Sequence, residues 1–281
     1  MLTAVFAGVS TVLVSDGSSA VLVDGFFSRP PLRRLLTRVA PDHERIRWAL
    51  DRLRVDRLDA VLVSHSHVDH VLDAPVVADL TGAVLAGSPS TRQVQIGYGL
   101  GDRPFADLVD GEPLRAGAFT VTPIRAEHSA GDRAPGEITA PVVPPARAKD
   151  YRTGGCWSFH IAHPAGRVLV HGSAGAVPDG LEGYLAELLY LGIGAIGRKR
   201  EEWREDYWAA TAGAVGARVV RPVHWDRFWR PLDGPVKRLP SIVDRVDVSL
   251  ETMARLAART DVDLALPRVL ESEQVPRPGR E

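Results

Sequence analysis

Ser64-His65-Ser66-His67-Val68-Asp69-His70 is the stretch on which the reading of this chain turns. It follows Leu58-Asp59-Ala60-Val61-Leu62-Val63, an apolar run that reads as a buried strand. Three imidazoles and a carboxylate therefore stand together just past a strand end. His65 and His67 are two apart, so an extended backbone points them to the same side. A tightening turn brings in Asp69 and His70 from another direction. This donor set suits Zn2+, with Mn2+ or Fe2+ as other first-row choices. The bland alternative is a polar loop that happens to hold histidines, and the spacing after a strand speaks against it.

Outward from this stretch, apolar runs alternate with turn signals. Thr3–Val9 and Thr11–Val14 read as strand, and Asp16-Gly17 turns the chain into Ala20–Val23. Asp24 either supports the histidine loop from behind or caps a turn. Leu32–Val39 reads as a short basic helix. Asp42 is a fair N-cap for a helix to Leu53. Asp73 is another, with Pro75 in the first turn. Ala83–Ala86 reads as strand and Ser88–Ile96 as helix. Glu112–Arg115 with Phe119–Ile124, and Cys156–His163 with Arg167–His171, read as hairpins. Leu188–Ile193 and Arg218–Val223 are further strands. Glu201–Val215 is amphipathic, and Ser249 is placed to cap a helix through Thr260.

Composition bounds the partners. The chain has 281 residues, 45% of them hydrophobic, enough for a sizeable core. Its formal net charge of −1 gives no strong overall field for nucleic acid or an anionic membrane. Arginine greatly outnumbers lysine (only Lys149, Lys199 and Lys237 occur), which hints at a GC-rich bacterial genome. Cys156 is the sole cysteine, so no internal disulfide is possible. No apolar run reaches membrane-spanning length and no charged leader opens the chain, so a cytoplasmic home is expected.

His-x-His-x-Asp-His after a strand resembles the hallmark of the metallo-β-lactamase superfamily, and the resemblance runs from about Val5 to about Trp225. It implies an α/β fold: an αβ/βα four-layer sandwich, two mixed β-sheets face to face with helices on the outer faces. The opening layout and Pro222-Val223-His224 look closest to the branch of ascorbate-phosphate lactonases and N-acyl-phosphatidylethanolamine phospholipase D. Carried over by motif, the first metal site is His65, His67 and His128, and the second is Asp69, His70 and His224. His128 is the only histidine between His70 and His160. Asp69 and His224 are also the expected catalytic pair.

One position departs from the family pattern. Where the family places a bridging Asp after Gly at a strand end, this chain has His171-Gly172-Ser173. A neutral hydroxyl brings no charge to offset the repulsion of two ions. One ion is therefore favoured, with the second weak, unless His171 supplies the missing ligand. Ser173 counts as a degenerate ligand.

Residues 129–153 hold six glycines or prolines and no periodicity, so they are expected to form a lid-like loop within a single domain spanning 1–266. Arg147 and Lys149 in it are candidate contacts for an anionic substrate, although a solvated loop fits equally. Trp225, Phe228 and Trp229 either wall an apolar pocket or plug the base of the sandwich. Residues 267–281 are expected to fray. The function implied is a metal-dependent hydrolase that attacks an ester, lactone or phosphodiester of a medium-sized, partly apolar small molecule. The alternatives are a mononuclear-metal oxidoreductase of the same fold, or a binding or biosynthetic partner whose catalysis has lapsed.

Overall fold

Alternating apolar residues on either side of the histidine stretch build two seven-stranded sheets in the computed structural model, which describes residues 1–279. The first sheet opens as an antiparallel meander of β1 (Thr3–Phe6), β2 (Val12–Ser15) and β3 (Ala20–Val23). It continues in parallel through β4 (Ala60–Leu62), β5 (Val84–Gly87) and β6 (Phe105–Asp107). The second sheet repeats the plan. Its antiparallel part is β7 (Leu114–Ala116), β8 (Phe119–Arg125), β9 (Trp157–His163) and β10 (Gly166–His171). Its parallel part adds β11 (Leu188–Gly192), β12 (Val219–Val223) and β13 (Asp263–Leu264). β14 (Ser272–Gln274) then returns to pair with β1.

Parallel neighbours need crossovers, and helices supply most of them. α1 (Leu32–Leu35) and α2 (His43–Leu53) join β3 to β4. α3 (Val68–Val71) and α4 (Ala74–Thr81) join β4 to β5, and α5 (Pro89–Gly97) leads to β6. α6 (Glu201–Trp208), prolonged by a π-helical turn, and α7 (Val246–Thr260) flank β12. The strand period of two sorts the side chains. Leu62 joins Phe6, Val23, Phe159 and Ile161 in the cluster between the sheets. Its neighbours Val61 and Val63 pack instead with Ile46, Ala49 and Val77 of α2 and α4. The helices therefore cover outer faces, giving the four-layer sandwich.

Several boundaries differ from the sequence reading. The Asp42 carboxylate does cap α2 by accepting from the Arg45 amide at 3.1 Å. Asp73 precedes α4, but its carboxylate accepts from the amides of Phe27 and Ser28 and from the Ser28 hydroxyl. It ties a loop down instead of capping. Ser249 lies inside α7, which starts at Val246, and its hydroxyl returns to the Arg245 carbonyl at 3.3 Å. The frayed tail is corrected for its described part. β14 adds to the first sheet, Val275 is buried, and Glu273 accepts hydrogen bonds from Tyr190 (2.6 Å) and Arg221 (2.9 Å). Residues 280 and 281 lie outside the described residues.

The strand directions locate the site. β3 and β4 run parallel, and so do β8, β10 and β12, so the histidine loop, Asp24, His128, Ser173 and His224 follow strand ends at one edge of the sandwich.

Candidate metal centre

After β4 the chain cannot continue as a strand, because Asp24 takes over its hydrogen bonding. The Asp24 carboxylate accepts from the Ser64 amide at 2.7 Å and from the Ser64 hydroxyl at 3.0 Å. The Ser64 carbonyl accepts the Trp157 amide (2.8 Å), and the Ser66 amide donates to the Thr153 carbonyl (2.8 Å). The loop is thus clasped between the two sheets. His65 is buried and His67 partly so, and His70 turns in from α3.

Two donor groups result. The ligand atoms of His65, His67 and His128 lie within 4.8 Å of one another, and so do those of Asp69, His70 and His224. The His65 and His70 rings are 3.7 Å apart between centroids, so the groups adjoin. Three of the five rings are held in place through one of their nitrogens. His70 Nδ1 meets the Asp24 carboxylate at 2.8 Å and Ser10 Oγ at 2.9 Å. His67 Nε2 meets Asp132 at 3.1 Å and Thr153 Oγ1 at 3.1 Å. His128 Nδ1 donates to the Ser129 carbonyl at 2.8 Å. Carboxylate and carbonyl partners of this kind fix the tautomer of a metal-binding imidazole. His65 Nε2 and His70 Nε2 are buried with no hydrogen-bond partner. Buried polar atoms are normally satisfied. Two orphaned ring nitrogens inside clusters of histidine fit a bound divalent ion.

The electrostatics divide the two groups. Burial pushes His65 well below the ordinary imidazole range, and neighbouring His70 adds to it. Burial lowers His67 as well, and it lowers His128 to about 4 with His67 alongside. The first group therefore presents neutral rings. In the second group, burial opposes the charge on Asp69, but His70 and His224 outweigh it and hold the carboxyl well below the usual range. Burial likewise opposes a charged His224, yet its contact with Asp69 at 3.5 Å raises it. The Asp69 carboxylate and the His224 ring thus favour each other's charged forms across 3.5 Å.

Both groups open into a cleft of about 1440 Å³. Arg147, Lys149 and Trp229 line it, together with Phe228, Tyr151 and Leu239. Three sequence-based candidates fall elsewhere. Trp225 is buried against Phe6, at 6.2 Å between ring centroids, and does not line the cleft. His224 lies just past the end of β12 with a positive φ of 63°, and the chain turns there so that Trp225 enters the core. His171 joins neither donor group among the described residues. It pairs with Ser158 Oγ at 2.6 Å and faces Tyr207 of α6 on the outer side of its sheet. Ser173 Oγ accepts the Ser129 amide at 3.0 Å, which commits it to holding the loop that carries His128. Cys156 is packed, and burial pushes its thiol up to about 12.

Asp132 and Thr153 were not singled out from the sequence as partners of the histidines. The Asp132 carboxylate accepts from Thr153 Oγ1, and together they fasten both ends of the 129–153 segment to His67. No periodicity marks them. The only signal was an acidic residue a few positions after His128.

A family model described as the metallo-β-lactamase superfamily matches residues 4–260. Among solved structures, Igni18, a metallo hydrolase from Ignicoccus hospitalis, is similar with a TM-score of 0.62 at 14% identity, covering 97% of each chain. YhfI from Bacillus subtilis, a metallo-β-lactamase fold protein, has a TM-score of 0.58 at 15% identity, covering 98% of this chain and 100% of its own. CmlA, a diiron β-hydroxylase from Streptomyces venezuelae, has a TM-score of 0.61 at 14% identity over 98% of this chain and 54% of its own. At such identities the likeness is one of fold. No curated protein sequence matches the chain.

Proposed function

The chain belongs to the metallo-β-lactamase superfamily, and from that premise we propose that it is a metal-dependent hydrolase of an ester, lactone or phosphodiester in a medium-sized, partly apolar, anionic molecule. The observation that carries this reading is the set of three imidazoles, His65, His67 and His128, whose ligand atoms converge within 4.8 Å of one another in the lining of a cleft large enough for such a molecule. His65, His67 and His128 would hold the ion, with Zn2+ favoured for that donor set. A bound divalent ion supplies an acidified water and a polarised carbonyl or phosphoryl oxygen.

The protein's own groups do the rest. Asp69 stays ionised, so its carboxylate is placed to hydrogen-bond and orient an attacking water. His224 Nε2 lies 3.5 Å from the Asp69 carboxylate, which favours its protonated form and places it to give a proton to a leaving oxygen. These two roles belong to a one-ion site. Arg147 and Lys149 face the cleft as partners for an anion, and Phe228 and Trp229 give apolar contact. The 129–153 segment acts as a wall whose base is fixed at Asp132 and Thr153.

The test is metal content on protein purified without added metal, read beside turnover of an ester, a lactone and a phosphodiester panel. One tightly bound ion with hydrolysis of at least one class supports the proposal. Metal-dependent oxygen uptake with no hydrolysis on any class would replace it with an oxidoreductase.

A further inference from the structure

The net charge of −1 conceals a local imbalance at the mouth of the cleft. Leu36 is 79% exposed and Ile242 is 85% exposed, and both border that cleft. Leu32 and Val243, beside them, are also exposed and also border the cleft. Exposed aliphatic side chains gathered at one opening differ from those scattered singly over a surface. They are backed by cations. Arg33 and Arg34 are exposed on α1, and Arg38, Arg147, Lys149 and Arg198 line the rim. None of these six is within ion-pair distance of a carboxylate among the described residues. Some arginines elsewhere do have carboxylate partners, as in Arg103–Asp79 and Arg255–Glu201; what sets the mouth apart is that its cations stand beside exposed aliphatic side chains. The rim is also held in shape. Arg198 Nη2 donates to the carbonyls of Ile242 and Val243 at 2.8 and 3.0 Å, and Arg38 Nη1 to that of Pro145 at 2.8 Å.

We infer that this mouth docks on an anionic lipid surface, with Leu36 and Ile242 entering the headgroup boundary and the arginines meeting the anionic headgroups. Apolar side chains flanked by arginine are the composition of an interfacial contact. No helix among the described residues is long and apolar enough to cross a membrane, so the contact is peripheral. A nucleic acid would be met by aromatic rings at the rim for base stacking, whereas the exposed prongs here are aliphatic. The apolar lining continues from the prongs through Leu35, Leu239 and Phe228 toward the histidines. The inference therefore deepens the hydrolase reading, and rests on it for this part: the substrate is an anionic amphiphile whose chain enters the cleft from the lipid surface.

Flotation of the full-length protein with phosphatidylcholine vesicles, with and without phosphatidylserine, tests the docking without any turnover. Binding is expected to the phosphatidylserine vesicles and to weaken as salt is raised. Each arginine removed by R33Q or R34Q should lower the partition coefficient about fivefold. L36D/I242D should abolish binding while metal content and thermal midpoint stay unchanged. No flotation with phosphatidylserine vesicles at low salt overturns the inference. So does flotation that L36D/I242D leaves intact. So does a concentration-dependent dimer that L36D/I242D dissolves, because the face would then serve a second copy of the chain. Vesicle binding by a protein that hydrolyses nothing would sink the hydrolase reading alone.

Discussion

The two ring nitrogens of His67 face different groups: Nε2 is taken by Asp132 and Thr153, which leaves Nδ1 for an ion. Loss of such a carboxylate partner typically costs about 10–100-fold in metal affinity. Asp132→Asn is therefore expected to weaken the ion at His65, His67 and His128 by about that factor, measured by competition with a chelator. An unchanged affinity would mean that the ring is held without Asp132. Ser173 offers the opposite experiment. Ser173→Asp restores a carboxylate where the second group has only Asp69, and the metal content should rise from one ion toward two. Protonation separates the groups as well. Burial holds His65, His67 and His128 below the ordinary imidazole range, His128 at about 4, so protons compete for this group less than for a free imidazole. His224 is raised by its contact with Asp69 against burial, so protons compete with an ion more strongly at the second group than at the first. Lowering the pH from about 8 to about 6 should thus weaken the second ion far more than the first. Calorimetric titration of metal into stripped protein at both values measures this. Equal weakening at the two groups would contradict the sign of these shifts. At this scale the sequence was legible where ligands are local: the spacing of His65, His67, Asp69 and His70 follows from a strand end. Asp132 was not, because its role depends on a loop folding back over that end. Of the two readings offered for Trp225, pocket wall or core plug, its burial against Phe6 matches the plug, and the left-handed turn at His224 that sends it there leaves no mark in the sequence.

Among the elements, those with a strong period were legible and the sheet edges were not. α2 runs over His43–Leu53 from its Asp42 cap, and β3 over Ala20–Val23, as their sequences predict. β6, β13 and β14 have two or three residues each, too few for alternation to register. β14 escaped notice because its residues, Ser272, Glu273 and Gln274, are polar. Its stability comes from tertiary partners instead: the ladder to β1, and Glu273 between Tyr190 and Arg221. A chain ending at Leu270 loses these, at on the order of 1 kcal/mol for each buried hydrogen bond. A few such bonds should lower the thermal midpoint by several degrees, at about 2–4 °C per kcal/mol for a domain of this size class. A midpoint within a degree of the full chain would return the segment to the status of a loose tail. The metal loop is remote from β14, so the ion's affinity should hold steady at temperatures where the shortened chain is folded.

Over the whole molecule, the two sheets share one plan: an antiparallel start, then parallel strands whose ends gather at a single edge. That plan lets His128 and His224, distant in sequence, meet a loop after β4. It was legible only through the family resemblance, since no repeat in the residues announces it. The charge distribution was not legible from the net value, because a total of −1 averages a cationic mouth with acids elsewhere. The claim beneath all of this is that imidazoles following strands of both sheets converge on one cation. The most direct measurement is elemental analysis of purified wild-type protein beside His128→Ala, which alters a residue remote from the histidine-rich loop. The account predicts a tightly held first-row ion in the wild type and its loss in the variant, with both proteins folded by circular dichroism. Equal metal in the two would contradict it.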